Sequence, residues 1–136
     1  MSKIIIYTLL ALLVITVGMF LISCSSNPLR KSEEQIRESI IKLTPIGTSM
    51  DAVLKIVENH EGWQTLGVNY ERGFTRQSPE DSGNGLGYSI IGEKAIGVNI
   101  GKYLDGIFYT QVSIHWGFDE NSNLIDIWVH KTTAGF

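Results

Sequence analysis

The chain changes its hydrophobic rhythm twice. From Ile4 to Ile22 it is nearly all apolar and carries no charge; from Ser32 to Gly62 apolar residues recur at helical spacing; from Trp63 onward they alternate. Ser32 with Gln35 three residues later reads as a capping box. Ile36, Ile40 and Leu43 follow at helical spacing with Ile41 beside them, and Pro45 closes that helix. Gly47-Thr48 reopens the chain with Thr48 as N-cap and Asp51 as a first-turn acid, and Met50, Val53, Leu54 and Val57 form the next apolar stripe. This second helix is expected to end over Asn59 to Gly62.

Leu66, Val68 and Tyr70 then predict a strand. Residues 71–85 hold a Pro, three Gly, two Ser and scattered charges around a single large apolar residue, Phe74, and read as a long flexible loop. A short strand is expected at Leu86 to Ile91. Three runs close the chain: Ile96, Val98 and Ile100; Val112, Ile114, Trp116 and Phe118; and Ile125, Ile127 and Val129. Turn residues separate them at Leu104 to Gly106 and at Asp119 to Asn123, so a meander is predicted. The fold class that follows is α+β: two N-terminal helices packed on one face of an antiparallel sheet of about four strands, in two layers.

Register follows from the need to keep one face apolar. A three-residue loop with Gly106 left-handed sets Tyr103 against Ile107, Val98 against Val112 and Ile96 against Ile114. In the second hairpin Phe118 is set against Ile125, Trp116 against Ile127 and Ile114 against Val129. The aliphatic face then receives the helices. The other collects Tyr103, Tyr109, Gln111, Ser113, His115, Asp126, Trp128 and His130, interspersed with Gly97, Gly101 and Gly117. Two large aromatics and a histidine, Tyr109, Trp128 and His115, mark that face as a candidate protein-binding surface, because Trp and Tyr are the anchors that interfaces favour.

The apolar opening changes the picture of where the chain works. One positive charge, Lys3, precedes it, and it gives way to Ser25-Ser26-Asn27-Pro28 just after the only cysteine, Cys24. This is the layout of a secretory signal; the run is also close to the roughly 20 residues that span a bilayer, so an uncleaved anchor is the competing reading. Leu21-Ile22-Ser23-Cys24 resembles the bacterial lipobox, which implies diacylglycerol on the Cys24 thiol and cleavage before it. The organisation expected is a signal peptide over 1–23, a tether over 24–31 and one domain over 32–136. Removing the first 23 of 136 residues leaves 113, with 10 basic and 14 acidic side chains and no basic run. Such a surface excludes nucleic acid and an electrostatic grip on anionic lipid as expected partners.

The order of lipobox, short tether, Gly47-Thr48-Ser49-Met50-Asp51-Ala52-Val53 opening a helix, and a meander with Phe118-Asp119 before a turn and Leu124 after it resembles the SmpA/OmlA type of small outer-membrane lipoproteins. It also resembles the wider fold shared with the beta-lactamase inhibitor protein. The resemblance implies lipid anchorage in the bacterial cell envelope, in the outer membrane facing the periplasm if the cell is Gram-negative. Asn59-His60-Glu61-Gly62 departs from the turn usual in that family, and the segment 71–85 has no counterpart in it.

Motifs of catalysis are not found. His60, His115 and His130 lack metal-site spacing and no thiol supports them, so neither a metal nor another cofactor is expected. Gly83, Gly85 and Gly87 precede a strand rather than a helix and are followed by no Lys-Ser or Lys-Thr, unlike a phosphate loop. Glu71, Glu80 and Asp81 read as solvated carboxylates, and Ser82-Gly83 is not a nucleophile elbow. No catalytic residue is named. The leading expectation is a non-enzymatic envelope lipoprotein that binds another envelope protein through its sheet, as an assembly accessory or an inhibitor or immunity protein. The alternative is an envelope hydrolase or small-ligand carrier with 71–85 as a lid.

Overall fold

The computed structural model describes residues 2–23, 27–78 and 87–135, and the chain forms two units, Met1–Arg30 and Lys31–Phe136. In the first, α1 (Ser2–Ser23) is followed by a single 3-10 turn, Pro28–Arg30. The side chains of α1 are described as far as Val17, and among the described residues no helix is long and apolar enough to cross a membrane. Cys24 and the segment 79–86 lie outside the described residues.

Among its described residues the second unit holds two helices and six strands. α2 (Glu33–Leu43) begins at the expected capping box: Ser32 Oγ accepts from the Gln35 amide, and Gln35 Oε1 accepts from the Ser32 amide. α3 (Met50–Asn59) starts one residue later than expected, with Ser49 as N-cap accepting from the Ala52 amide. Thr48 instead donates its hydroxyl to the Pro45 carbonyl. The linker between the helices is pinned to the far hairpin, because Gly47 and Met50 donate to the carbonyls of Leu124 and Ser122, while Leu124 donates to that of Thr48.

β1 (Gln64–Asn69), β4 (Lys94–Asp105), β5 (Phe108–Phe118) and β6 (Leu124–Gly135) form one antiparallel sheet in the order β1-β4-β5-β6. Helices and sheet enclose the core: Ile36, Ile40, Met50, Val53 and Val57 on one side, and Ile96, Val98, Val112, Ile114, Trp116, Ile127 and Val129 on the other, all buried. Trp116 is fully buried, and its indole N–H donates to Thr44 Oγ1 at 3.0 Å, so the largest core side chain leaves no polar atom unsatisfied. The α+β, two-layer architecture is the expected one.

The registers differ from expectation in detail. Trp116 pairs with Ile127 and Ile114 with Val129 as expected, but a bulge at the end of β5 pairs Phe118 with Leu124 and leaves Ile125 unmatched. In the first hairpin Val98 pairs with Ile114 and Ile96 with Trp116. The shift of two residues keeps each side chain on its face. Asp105 pairs with Phe108 across a two-residue turn, with Gly106 at φ 64, where a two-residue hairpin wants its glycine. A bulge between Asn99 and Gly101 inserts Ile100 and moves Tyr103 to the helix side of the sheet, opposite to the face expected.

Part of the expected 71–85 loop is a strand. β2 (Phe74–Ser78) pairs with β3 (Gly87–Ile91) as a separate two-stranded sheet. Phe74 and Arg76 point inward to the main sheet, while Tyr88 and Ile90 are 63% and 51% exposed. Gly92 (φ 81) and Glu93 turn β3 directly into β4, with the Glu93 amide donating to the Phe118 carbonyl.

β1 and β6 are the two edge strands of the sheet. On β6 side chains occupy the backbone at two residues: Arg37 Nε donates to the Ile127 carbonyl at 2.8 Å, Asp126 Oδ1 accepts from the Ile127 amide at 2.8 Å, and Glu33 Oε1 accepts from the Lys131 amide at 3.0 Å.

Candidate functional site

Pairing across four strands sets Gly67, Gly97, His115 and Trp128 in one row on the face away from the helices. Two glycines in a row of four leave a trough, and the His115 ring leans into it: a Cβ on Gly97 would lie 3.2 Å from His115 Nδ1. Beside it runs an open groove of about 410 Å³, lined among others by Leu66, Asn69, Phe74, Thr75, Gly97 and His115. Its lining includes no Asp, Glu, Lys or Arg.

Phe74 comes down on this row from β2. Its ring centroid is 6.0 Å from that of Trp128 and 5.8 Å from that of His115, and Trp128 in turn stacks on His130 at 4.6 Å. The next row holds Gly117, where a Cβ would meet Phe74 at 2.9 Å, so only glycine lets the hairpin settle this closely. Asp126 fastens the same edge by accepting from Arg37 at 3.1 Å and Arg76 at 3.3 Å, which joins α2, β6 and β2. All three side chains are partly exposed, so each pair contributes about 1 kcal/mol or less.

Of the three residues expected to form a binding face, His115 and Trp128 lie together with ring centroids 5.4 Å apart. Tyr109 does not join them. It stands six residues along β5, about 20 Å away by strand rise, under the Lys102 ammonium. His130 completes the cluster in its place. Phe74 is the member that sequence reasoning missed, and its only signal was being the one large apolar residue in a polar stretch.

Burial pushes the His115 pKa below 6.5, and the nearby His130 pushes it in the same direction. The neutral ring is the form the folded chain prefers. Its full stability is present above pH 6.5 and is lost as pH falls from there through the folded value, because the unfolded chain takes up the proton first. His115→Gln is expected to flatten that slope; urea midpoints of parent and variant at about pH 7.5 and about pH 5.5 check it.

As chemistry the cluster is poor in activated groups. Ser113 Oγ lies 3.5 Å from His115 Nε2, longer than the about 2.6–3.2 Å of a working nucleophile and base. Among the described residues no group of His, Cys, Asp and Glu is arranged to hold a metal. What the face offers is contact: an aromatic surface, half-buried, next to an uncharged groove. No family model, curated protein or solved structure matches the chain.

Proposed function

We propose that this chain is a lipid-anchored bacterial envelope protein, of the small outer-membrane lipoprotein kind that its sequence resembles. In this reading it acts without catalysis, by docking another envelope protein on the sheet face centred on Trp128. The observation that carries the docking is the cluster of His115, Trp128 and His130, partly open on the side of the sheet away from the core and backed by the buried ring of Phe74. A sheet face that merely met water would carry Lys, Glu and Thr, whereas large rings give contact area at little entropic cost. Support for the anchor comes from Leu21-Ile22-Ser23-Cys24 and the single cysteine.

The test uses the lipidated full chain as bait in its own envelope, with Cys24→Ser as the control that loses acyl label and maturation. With the stoichiometric partner in hand, Trp128→Ala is expected to weaken binding by about 2 kcal/mol, roughly 30-fold, with unchanged circular dichroism. Phe74→Ala should weaken it too, because Phe74 supports the Trp128 ring. Tyr109→Ala, about 20 Å off by strand rise, should not. Loss with Tyr109→Ala and none with Trp128→Ala would move the site to the other end of the sheet; equal acyl label in Cys24→Ser would end the lipoprotein reading.

A further inference from the structure

β4 and β5 meet in the Gly106-Ile107 turn at one end of the sheet, and apolar side chains collect there in the open. Ile107 is 72% exposed, Leu104 50% and Phe108 46%. Alternation sets Leu104 on one face with its pair Tyr109, and Phe108 on the other with its pair Asp105, one row beyond the pair of Tyr103 and Thr110. The tip thus shows an apolar side chain on each side, with one carboxylate, Asp105, beside Phe108. A flank of amphipathic residues stands behind it: Lys102 Nζ lies 5.1 Å from the centre of the Tyr109 ring, and Lys131 Nζ 5.2 Å from that of Tyr103. An apolar end backed by Tyr and Lys is the sequence of chemistries met on passing from acyl chains to headgroups.

The same flank is where the tether enters the domain. Lys131 Nζ donates to the Lys31 carbonyl at 2.6 Å and to Tyr103 Oη at 3.3 Å, so the first residue of the second unit is fixed beside the base of the tip. Lys131 pairs with Val112, five residues along β5 from Ile107, which is about 16 Å of strand. From Lys31 back to Cys24 is seven residues, a reach of at most about 25 Å. The tether is therefore long enough for Cys24 to share a plane with the tip. It is too short to let the domain stray far from it.

The geometry points to the Leu104-Ile107-Phe108 tip as a lipid-docking site: it enters the acyl region of the bilayer that holds the Cys24 lipid and so orients the domain on that surface. This rests on the lipoprotein reading above. The ligand is the uncharged interior of the lipid layer rather than an anionic headgroup, since Asp105 stands at the turn and the mature domain carries more acidic than basic residues.

The experiment uses the lipidated full chain on phosphatidylcholine vesicles carrying acyl-chain nitroxide. Cys24 is the only cysteine and its thiol is occupied by lipid, so Ile107→Cys takes an environment-sensitive fluorophore at that position alone. Ile125→Cys, 45% exposed at the opposite end of β5 and β6, is the comparison. Expected are a blue shift and strong nitroxide quenching at 107, neither at 125, and loss of both at 107 when Phe108→Asp is added. Confirmed acylation with a water-exposed probe at 107 overturns tip insertion and leaves the anchor standing. A shift that grows with protein density at constant lipid assigns the tip to a second copy and also overturns it. An intact-mass spectrum without acyl on Cys24 removes the lipoprotein reading, and this proposal with it.

Discussion

Trp116→Ala should cost about 3–5 kcal/mol in denaturant unfolding, because it deletes a fully buried indole and leaves a cavity beside Thr44 at the end of α2. The polar part of the loss can be separated. Thr44 donates its own hydroxyl hydrogen to the Ile40 carbonyl at 3.0 Å and accepts from the indole at the same distance, so Trp116→Phe removes one acceptor contact without stranding a donor. That variant is expected to lose only about 1 kcal/mol for the hydrogen bond, plus a smaller packing term. Trp128→Ala, on the other face and only half-buried, should fall well below Trp116→Ala. Equal losses at the two tryptophans would mean that the faces are assigned the wrong way round.

The second large effect is expected at Gly73. A Cβ there would overlap the carbonyl oxygens of Ile91 and Gly92, which are backbone atoms and cannot rotate aside as a side chain would. Gly73→Ala is therefore expected to cost about 3 kcal/mol, the upper end for overpacking, by lifting β2 off the sheet. Phe74 would go with it, so hydrogen exchange should quicken at Phe74 to Gln77 and at Tyr88 to Ile91. Gly67→Ala is the comparison, since nothing lies within 4 Å of its added methyl. Equal stability of the two variants would refute the close seat of the hairpin.

Much of the core could be read from the chain because it depends on alternation alone. Ile114, Trp116, Ile127 and Val129 stand where their period puts them, and the Ser32-Gln35 box announces its helix without tertiary help. The bulges could not be read. Ile100 and Ile125 are apolar and continue the pattern, and nothing local says that each is the extra residue. The missed strand β2 has the opposite cause: Thr75, Gln77 and Ser78 give it no apolar face, and it becomes a strand only by pairing with β3 and setting Phe74 on the sheet. The candidate site shared that fate. His115 and Trp128 were legible from register, but Phe74, which ties them together, required the three-dimensional fold. Tyr109 satisfies the same alternation and still lies elsewhere, because parity decides a face and not a position along it.

The side chains that occupy the β6 backbone bear on how many copies can share a surface. An open strand edge is a template for the next chain, and molecules confined to a membrane meet one another far more often than in solution. Arg37, Asp126 and Glu33 close that edge at Ile127 and Lys131, where an incoming strand would need those same donors and acceptors. In a domain tethered as proposed and crowded in two dimensions, pairing through this stretch of β6 is then blocked. Contacts with a neighbour along that stretch would be left to side chains, which can be selective, rather than to backbone, which is the same in every protein.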